Sequence, residues 1–249
     1  DPPTAVGDAP TLAARRLDGL AERVARSRPA TDDDGVSDPI DVFAPATDER
    51  IGSVPACDAA DVEAAVERAR DAQERWAEVP AAERARIVER FGDLVADRRE
   101  ELLDLLQLET GKSRRTAVEE LFDVPTGCAY VASEAPDALA EERRRGVAPG
   151  IATATVTREP VGVVGVISPW NYPLTLSMAD AIPALAAGNA VVLKPDEKTP
   201  YGALLLSELL ELAGLPDGLF QVVTGEGPTV GPPLIDAVDY VAFTGSTAT

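Results

Sequence analysis

Asn171, Lys194 and Glu197, with the small-residue run that follows Phe243, are the residues of this chain best suited to chemistry on a small ligand. Asn171 closes the segment Ile167-Ser168-Pro169-Trp170-Asn171, where proline stiffens the turn and can hold the amide outward. A neutral NH2 donor so placed suits an oxygen that becomes negative during a reaction. Its alternative use is to cap the turn or the helix that follows. Lys194 and Glu197, three residues apart in Lys-Pro-Asp-Glu, can hydrogen-bond the hydroxyls of a ribose from two sides. The other reading of such a run is a solvated charged loop. In Val223-Thr224-Gly225-Glu226-Gly227-Pro228, Gly225 permits close backbone approach to a flat ring, and Pro228 is counted with it. Phe243-Thr244-Gly245-Ser246-Thr247 predicts the start of an anion-binding helix, where unpaired N–H groups and the helix dipole favour phosphate.

Each of these segments follows an apolar run that reads as a strand, over 161–167, 190–193, 220–223 and 240–243. Helical stretches at about 174–187, 201–213 and 228–235 separate them, so parallel βαβ units with both sheet faces covered are expected over 160–249. The expected fold class is α/β, a doubly wound nucleotide-binding sheet whose ligands sit at the carboxyl ends of the strands. Upstream, 41–143 reads as a helical part introduced by a strand pair over 40–54. One helix is capped by Asp58, and the next is opened by Pro80 and striped by Ile87, Val88, Phe91, Leu94 and Val95. A third ends at Gly111, and a fourth runs from about Thr116 to Leu139, with Pro125 expected to begin or bend it. Residues 1–40 hold a short leading helix over 12–24 and a polar linker over 31–35. Within 144–159 one half-exposed strand is expected, over 151–158.

Pro169-Trp170-Asn171-Tyr172-Pro173, Leu193-Lys194-Pro195-Asp196-Glu197 and Phe243-Thr244-Gly245-Ser246-Thr247 stand in an order and at a spacing that resembles the coenzyme-binding half of an aldehyde dehydrogenase. The resemblance runs from about Asp41 to the last residue, and Leu108-Glu109-Thr110-Gly111-Lys112 shares in it. The loop at Gly225-x-Gly227 departs from the usual GxGxxG fingerprint at Val230, as that family does. The resemblance implies a reaction in three stages: a cysteine thiolate attacks an aldehyde, hydride passes to nicotinamide, and water hydrolyses the thioester. Asn171 would stabilise the oxyanion. The implied coenzyme site comprises Ile167, Ser168, Pro169, Trp170, Asn171, Lys194, Glu197, Gly225, Pro228, Phe243, Thr244, Gly245 and Ser246. A small-molecule aldehyde is the implied substrate, and the strand in 144–159 would belong to the oligomerisation arm of a homo-oligomer. The family's nucleophilic cysteine and general-base glutamate lie downstream of Thr247, so the chain is expected to stop before the catalytic domain; the final glycine of the phosphate motif would be residue 250, so weak or no coenzyme binding is expected of the chain alone. The wording of the loops is most similar to succinate-semialdehyde dehydrogenases. Glu197 would meet a 2′-phosphate with like charge, and Asp196 adds to that field, so NAD is the expected coenzyme. NADP is also admitted, because Lys198 offsets the repulsion. An acylating dehydrogenase or reductase of the same superfamily is an alternative that the Pro-Trp-Asn wording counts against. A non-catalytic nucleotide-binding or oligomerisation module is another, favoured by a reading frame that stops at Thr249.

Composition narrows the classes further. The 249 residues include 43 acidic and 23 basic side chains, a formal charge of -20, which disfavours nucleic acid and anionic membranes as partners. Lys112, Lys194 and Lys198 are the only lysines, a balance that resembles proteins adapted to high salt. No histidine is present, which removes His-based metal sites and Ser-His-Asp triads, and no metal is expected. Cys57 and Cys128 are isolated in sequence and read as structural thiols of a reducing, cytoplasmic compartment. The uncharged stretch 160–179 is long enough for a membrane span, but Pro169, Asn171 and Pro173 argue against one. No signal peptide is visible.

Overall fold

The computed structural model describes residues 9–25, 38–148 and 151–247. The polar linker expected at 31–35 lies outside them. A helix α1 (Ala9–Ala25) is followed by the hairpin β1 (Ile40–Ala44) and β2 (Glu49–Val54), whose register slips at Val42/Phe43. Four helices come next: α2 (Ala59–Ala77), α3 (Ala81–Asp97), α4 (Arg99–Thr110) and α5 (Arg114–Ala138). Asp58 caps α2 in a reciprocal box with Asp61, a device that stabilises a helix start by about 1 kcal/mol. Gly111 ends α4 at φ 70, a left-handed conformation that glycine adopts without a Cβ penalty.

The core is a parallel sheet of β5 (Val163–Ile167), β6 (Ala190–Lys194), β7 (Phe220–Val222) and β8 (Tyr240–Phe243), in the order β7-β6-β5-β8. Helices α6 (Pro173–Met178), α7 (Ala181–Ala186), α8 (Pro200–Leu212) and α9 (Gly227–Ala237) make the crossovers. β5 to β7 step in one direction across the sheet and β8 returns to the other side, so right-handed crossovers place α6, α7 and α8 on one face and α9 on the opposite one. α2 packs beside α9, while α3, α4 and α5 back the other layer. The helical part and the sheet share hydrogen bonds: Trp76 Nε1 donates to Leu185 O at 2.8 Å, and the buried Arg84 donates through Nε to Ala186 O at 2.9 Å. Arg70 reaches across to Asp239 at 2.7 Å, and Asp239 also accepts the N–H of Val163 at 2.8 Å.

Three elements differ from the sequence reading. The helix expected over 174–187 is broken at Ala179–Asp180, because Pro183 has no N–H to continue the ladder and is tolerated only in a first turn. Pro125 does not begin α5, which starts at Arg114 with Ser113 as its cap and is continuous to Ala138. Close packing holds it there: a Cβ added to Gly92 of α3 would stand 2.8 Å from Cys128 Cβ. The single strand expected within 144–159 is one of a pair, β3 (Glu142–Arg145) with β4 (Thr153–Val156), antiparallel, and almost every residue of it is exposed. The stretch 160–179 is β5, the turn after it and α6; among the described residues no helix is long and apolar enough to cross a membrane.

Candidate active site

The chain leaves β5 for β6 and β7 on one side and returns to β8 on the other, so the strand order reverses between β5 and β8. An open α/β sheet splays its loops apart at that point and leaves a crevice. The loops 168–171 and 244–247 leave from these two strands side by side, with Thr244 N–H donating to Ile167 O at 3.0 Å. Lys194, the last residue of β6, pairs in register with Ile167, and Ser168 N–H donates to Lys194 O at 3.1 Å. Ile167, Ser168, Pro169, Trp170, Asn171, Lys194, Glu197, Phe243, Thr244, Gly245 and Ser246 are therefore gathered at one end of the sheet.

Asn171 is exposed, and among the described residues its amide has no hydrogen-bond partner. Tyr172, not Asn171, occupies the N-cap position of α6, and no side chain caps that helix from there. Trp170 is half-exposed, with Lys198 Nζ 5.9 Å from its ring centroid. Lys194 is buried and its Nζ lies 3.4 Å from Oε2 of the half-exposed Glu197, so ammonium and carboxylate are paired. Burial, helped by the charge of Glu197, pushes the Asp196 carboxyl above its usual range, while its Oδ1 accepts the N–H of Lys198 at 3.1 Å.

Gly225 and Pro228 stand farther off, where the outer strand β7 passes into α9. Gly225 is buried, and a Cβ there would collide with Val230, so its glycine serves the packing of α9 on the loop. Pro228 is exposed in the first turn of α9. On the other side, the ring of Phe243 covers Gly245, whose added Cβ would be 2.5 Å from the ring edge. β8, like β7, is an edge strand of the sheet, with Tyr240 and Phe243 exposed.

Two buried carboxylates had no role assigned from sequence. Glu109 Oε1 and Oε2 accept the N–H groups of Tyr201 and Gly202 at 2.6 and 2.9 Å, at the start of α8. Burial pushes Glu109 up to about 8, against the pull of those two bonds. Glu120 accepts from Leu174 and Thr175 at 2.8 and 3.2 Å, at the start of α6, and pairs with Lys112 Nζ at 2.6 Å. The signal was present: Glu109 follows Leu102, Leu105 and Leu106, and Glu120 lies between Ala117 and Val124, so each acid interrupts an apolar stripe.

Residues 31–249 match the model of the aldehyde dehydrogenase family. The chain belongs to the aldehyde dehydrogenase family. It is 52% identical over 203 residues to a Mycolicibacterium smegmatis protein named "Putative succinate-semialdehyde dehydrogenase (NADP+)", covering 82% of this chain and 39% of that one. The crystal structure of an aldehyde dehydrogenase from Brucella melitensis biovar abortus 2308 superimposes with a TM-score of 0.81 at 31% identity, over 89% of this chain and 49% of that one. An NAD+ complex of an aldehyde dehydrogenase from Bacillus cereus gives 0.79 at 35% identity, over 84% and 43%. This aldehyde dehydrogenase chain thus spans about two fifths of the length of the curated relatives it matches. Both of its cysteines are buried, and burial pushes the Cys128 thiol up to about 12, which makes it a poor nucleophile.

Proposed function

We propose that this chain forms the coenzyme-binding part of an NAD(P)-dependent aldehyde dehydrogenase that oxidises an aldehyde to a carboxylic acid through a cysteine thioester. The observation that carries the reading is the end of the sheet where the strand order reverses, which gathers an exposed amide at Asn171, unpartnered among the described residues, and the Lys194–Glu197 pair. Asn171 donates to the aldehyde oxygen as it gains charge under thiolate attack, where a fixed donor is worth more than water. Lys194 and Glu197 bind the adenosine ribose hydroxyls, Pro228 borders the adenine with Gly225 behind it, and Thr244, Gly245 and Ser246 lie along the pyrophosphate. The Lys194–Glu197 pair, assembled with a buried lysine, supports a fit to a dinucleotide. When bound, the nicotinamide supplies the hydride acceptor. The exposed β3–β4 ribbon would pair with a second copy in a homo-oligomer. The substrate suggested by the smegmatis relative's name is succinate semialdehyde.

Glu197 favours NAD, although that relative's name gives NADP. In a full-length dehydrogenase carrying this sequence, Glu197→Gln is expected to shift the NAD/NADP ratio of kcat/KM toward NADP by roughly tenfold, a repulsion on the order of 1 kcal/mol or more. An unchanged ratio means that Glu197 does not face the ribose.

The acidic surface supports adaptation to high salt. With a formal charge of -20, the fold is expected to melt at a higher temperature in molar KCl than in dilute buffer, through screening and strengthened apolar burial. A midpoint that stays level or falls removes the halophilic reading.

A further inference from the structure

We propose that the Lys112–Glu120 pair, in which the carboxylate is fully buried and the lysine partly so, is a positioning device for Asn171, resting on the oxyanion reading above. Asn171 sits in a segment without regular structure between Pro169 and Pro173, so its amide is only as well placed as the chain on either side. Upstream the segment is fixed by the sheet and by a buried hydrogen bond of 2.8 Å between the Ser168 and Ser177 hydroxyls. Downstream it is fixed by Glu120. This carboxylate has no exposed surface; Oε2 accepts the N–H groups of Leu174 and Thr175, three and four residues after Asn171, at 2.8 and 3.2 Å. Its Oε1 takes Lys112 Nζ at 2.6 Å, and the same ammonium stands 3.8 Å above the ring centroid of Tyr172, the residue next to Asn171. One ion pair therefore grips Tyr172, Leu174 and Thr175 together, from α5 and the loop after α4.

A buried ion pair is a poor source of stability, since apolar residues of similar volume do as well or better. α6 has only six residues, and no side chain caps it from Tyr172, so the Glu120 carboxylate is what holds its first N–H groups. What the pair adds is directional: two backbone donors and one ring are held in fixed relation to the amide. Misplacing a reacting group by about 1 Å costs on the order of a hundredfold in rate.

The test uses the doubly substituted Lys112→Met/Glu120→Gln enzyme, which removes both charges while keeping the volume, in a full-length dehydrogenase carrying this sequence. It is expected to stay folded at the assay temperature, with a somewhat lower melting midpoint, and to keep its KM for coenzyme while kcat per folded molecule falls roughly tenfold to a hundredfold. Amide exchange at Leu174 and Thr175 should quicken at least tenfold. In an Asn171→Ala background the same pair of substitutions should cost nothing further, because the group being positioned is gone. Unchanged kcat in a stable double variant, unchanged exchange, or an equal further loss in the Asn171→Ala background each overturns the proposal. Near-normal kcat for Asn171→Ala alone overturns the oxyanion reading itself, and the proposal with it. Tyr172→Leu, at a half-buried position, covers the case in which the double variant fails to fold: kcat should drop several-fold at constant coenzyme KM, and no drop overturns the positioning role.

Discussion

Asn171→Ala in a full-length dehydrogenase carrying this sequence is expected to lower kcat about a hundredfold to a thousandfold, on the order of 3 to 4 kcal/mol. The substitution removes the donor and little volume. The amide has no partner among the described residues, so its loss leaves no buried group unsatisfied and the melting midpoint should stay put. Coenzyme affinity should be nearly intact, and ground-state aldehyde binding should change much less than kcat, because charge appears on the oxygen only after thiolate attack. A capping role predicts the reverse pattern, with lower thermal stability and full turnover per folded molecule. Measuring kcat and the midpoint on the same preparation separates the two, and a stable variant with near-normal kcat removes Asn171 from the catalytic machinery.

The second large effect is expected at Glu109. Burial raises its folded pKa from 4.5 to about 8, so the folded state holds a proton that the unfolded chain releases above 4.5. The sign follows from linkage: stability from this group is fully present below 4.5 and is lost as pH rises through the folded value near 8, at roughly 1.4 kcal/mol per pH unit. Over that window the contribution is on the order of several kcal/mol. Glu109→Gln does not titrate, and it should melt lower than the parent at pH 5.5 because one of the two N–H groups at Tyr201 and Gly202 loses an acceptor. The difference between parent and variant should shrink or reverse by pH 8.5. Other carboxylates titrate alike in both proteins and cancel in the comparison. A gap that is constant from pH 5.5 to 8.5 means that the two backbone N–H groups keep Glu109 ionised throughout.

The carboxyl end of the sheet was legible because its residues sit where apolar runs stop, and such runs read as strands by their composition alone, although β8 is largely exposed. Val163–Ile167, Ala190–Lys194, Phe220–Val222 and Tyr240–Phe243 fall within a residue or two of the expected spans. β3 was not legible: Glu-Arg-Arg-Arg has no apolar alternation, and its extended form comes from pairing with Thr153–Val156. The roles of Glu109 and Glu120 were not legible either, since their partners lie 92 and 54 residues away and no local pattern connects them. Gly225 shows a third limit. Its type was read as room for a ligand, whereas the close neighbour is Val230, five residues on. A glycine reports that something approaches and does not say what.

The two buried acids also bear on the order in which the molecule is made. During synthesis α4 and α5 emerge carrying Glu109 and Glu120, while the amide groups that satisfy them, at residues 174–175 and 201–202, are still unbuilt. Until those residues appear, desolvating either carboxylate is uphill, so the early helices have reason to stay loosely associated and solvated. Closure of the 54- and 92-residue loops then arrives late, as a step of high contact order. Nascent chains halted before α8 should accordingly be protease-sensitive throughout the helical part, and protection should arise there together with the sheet.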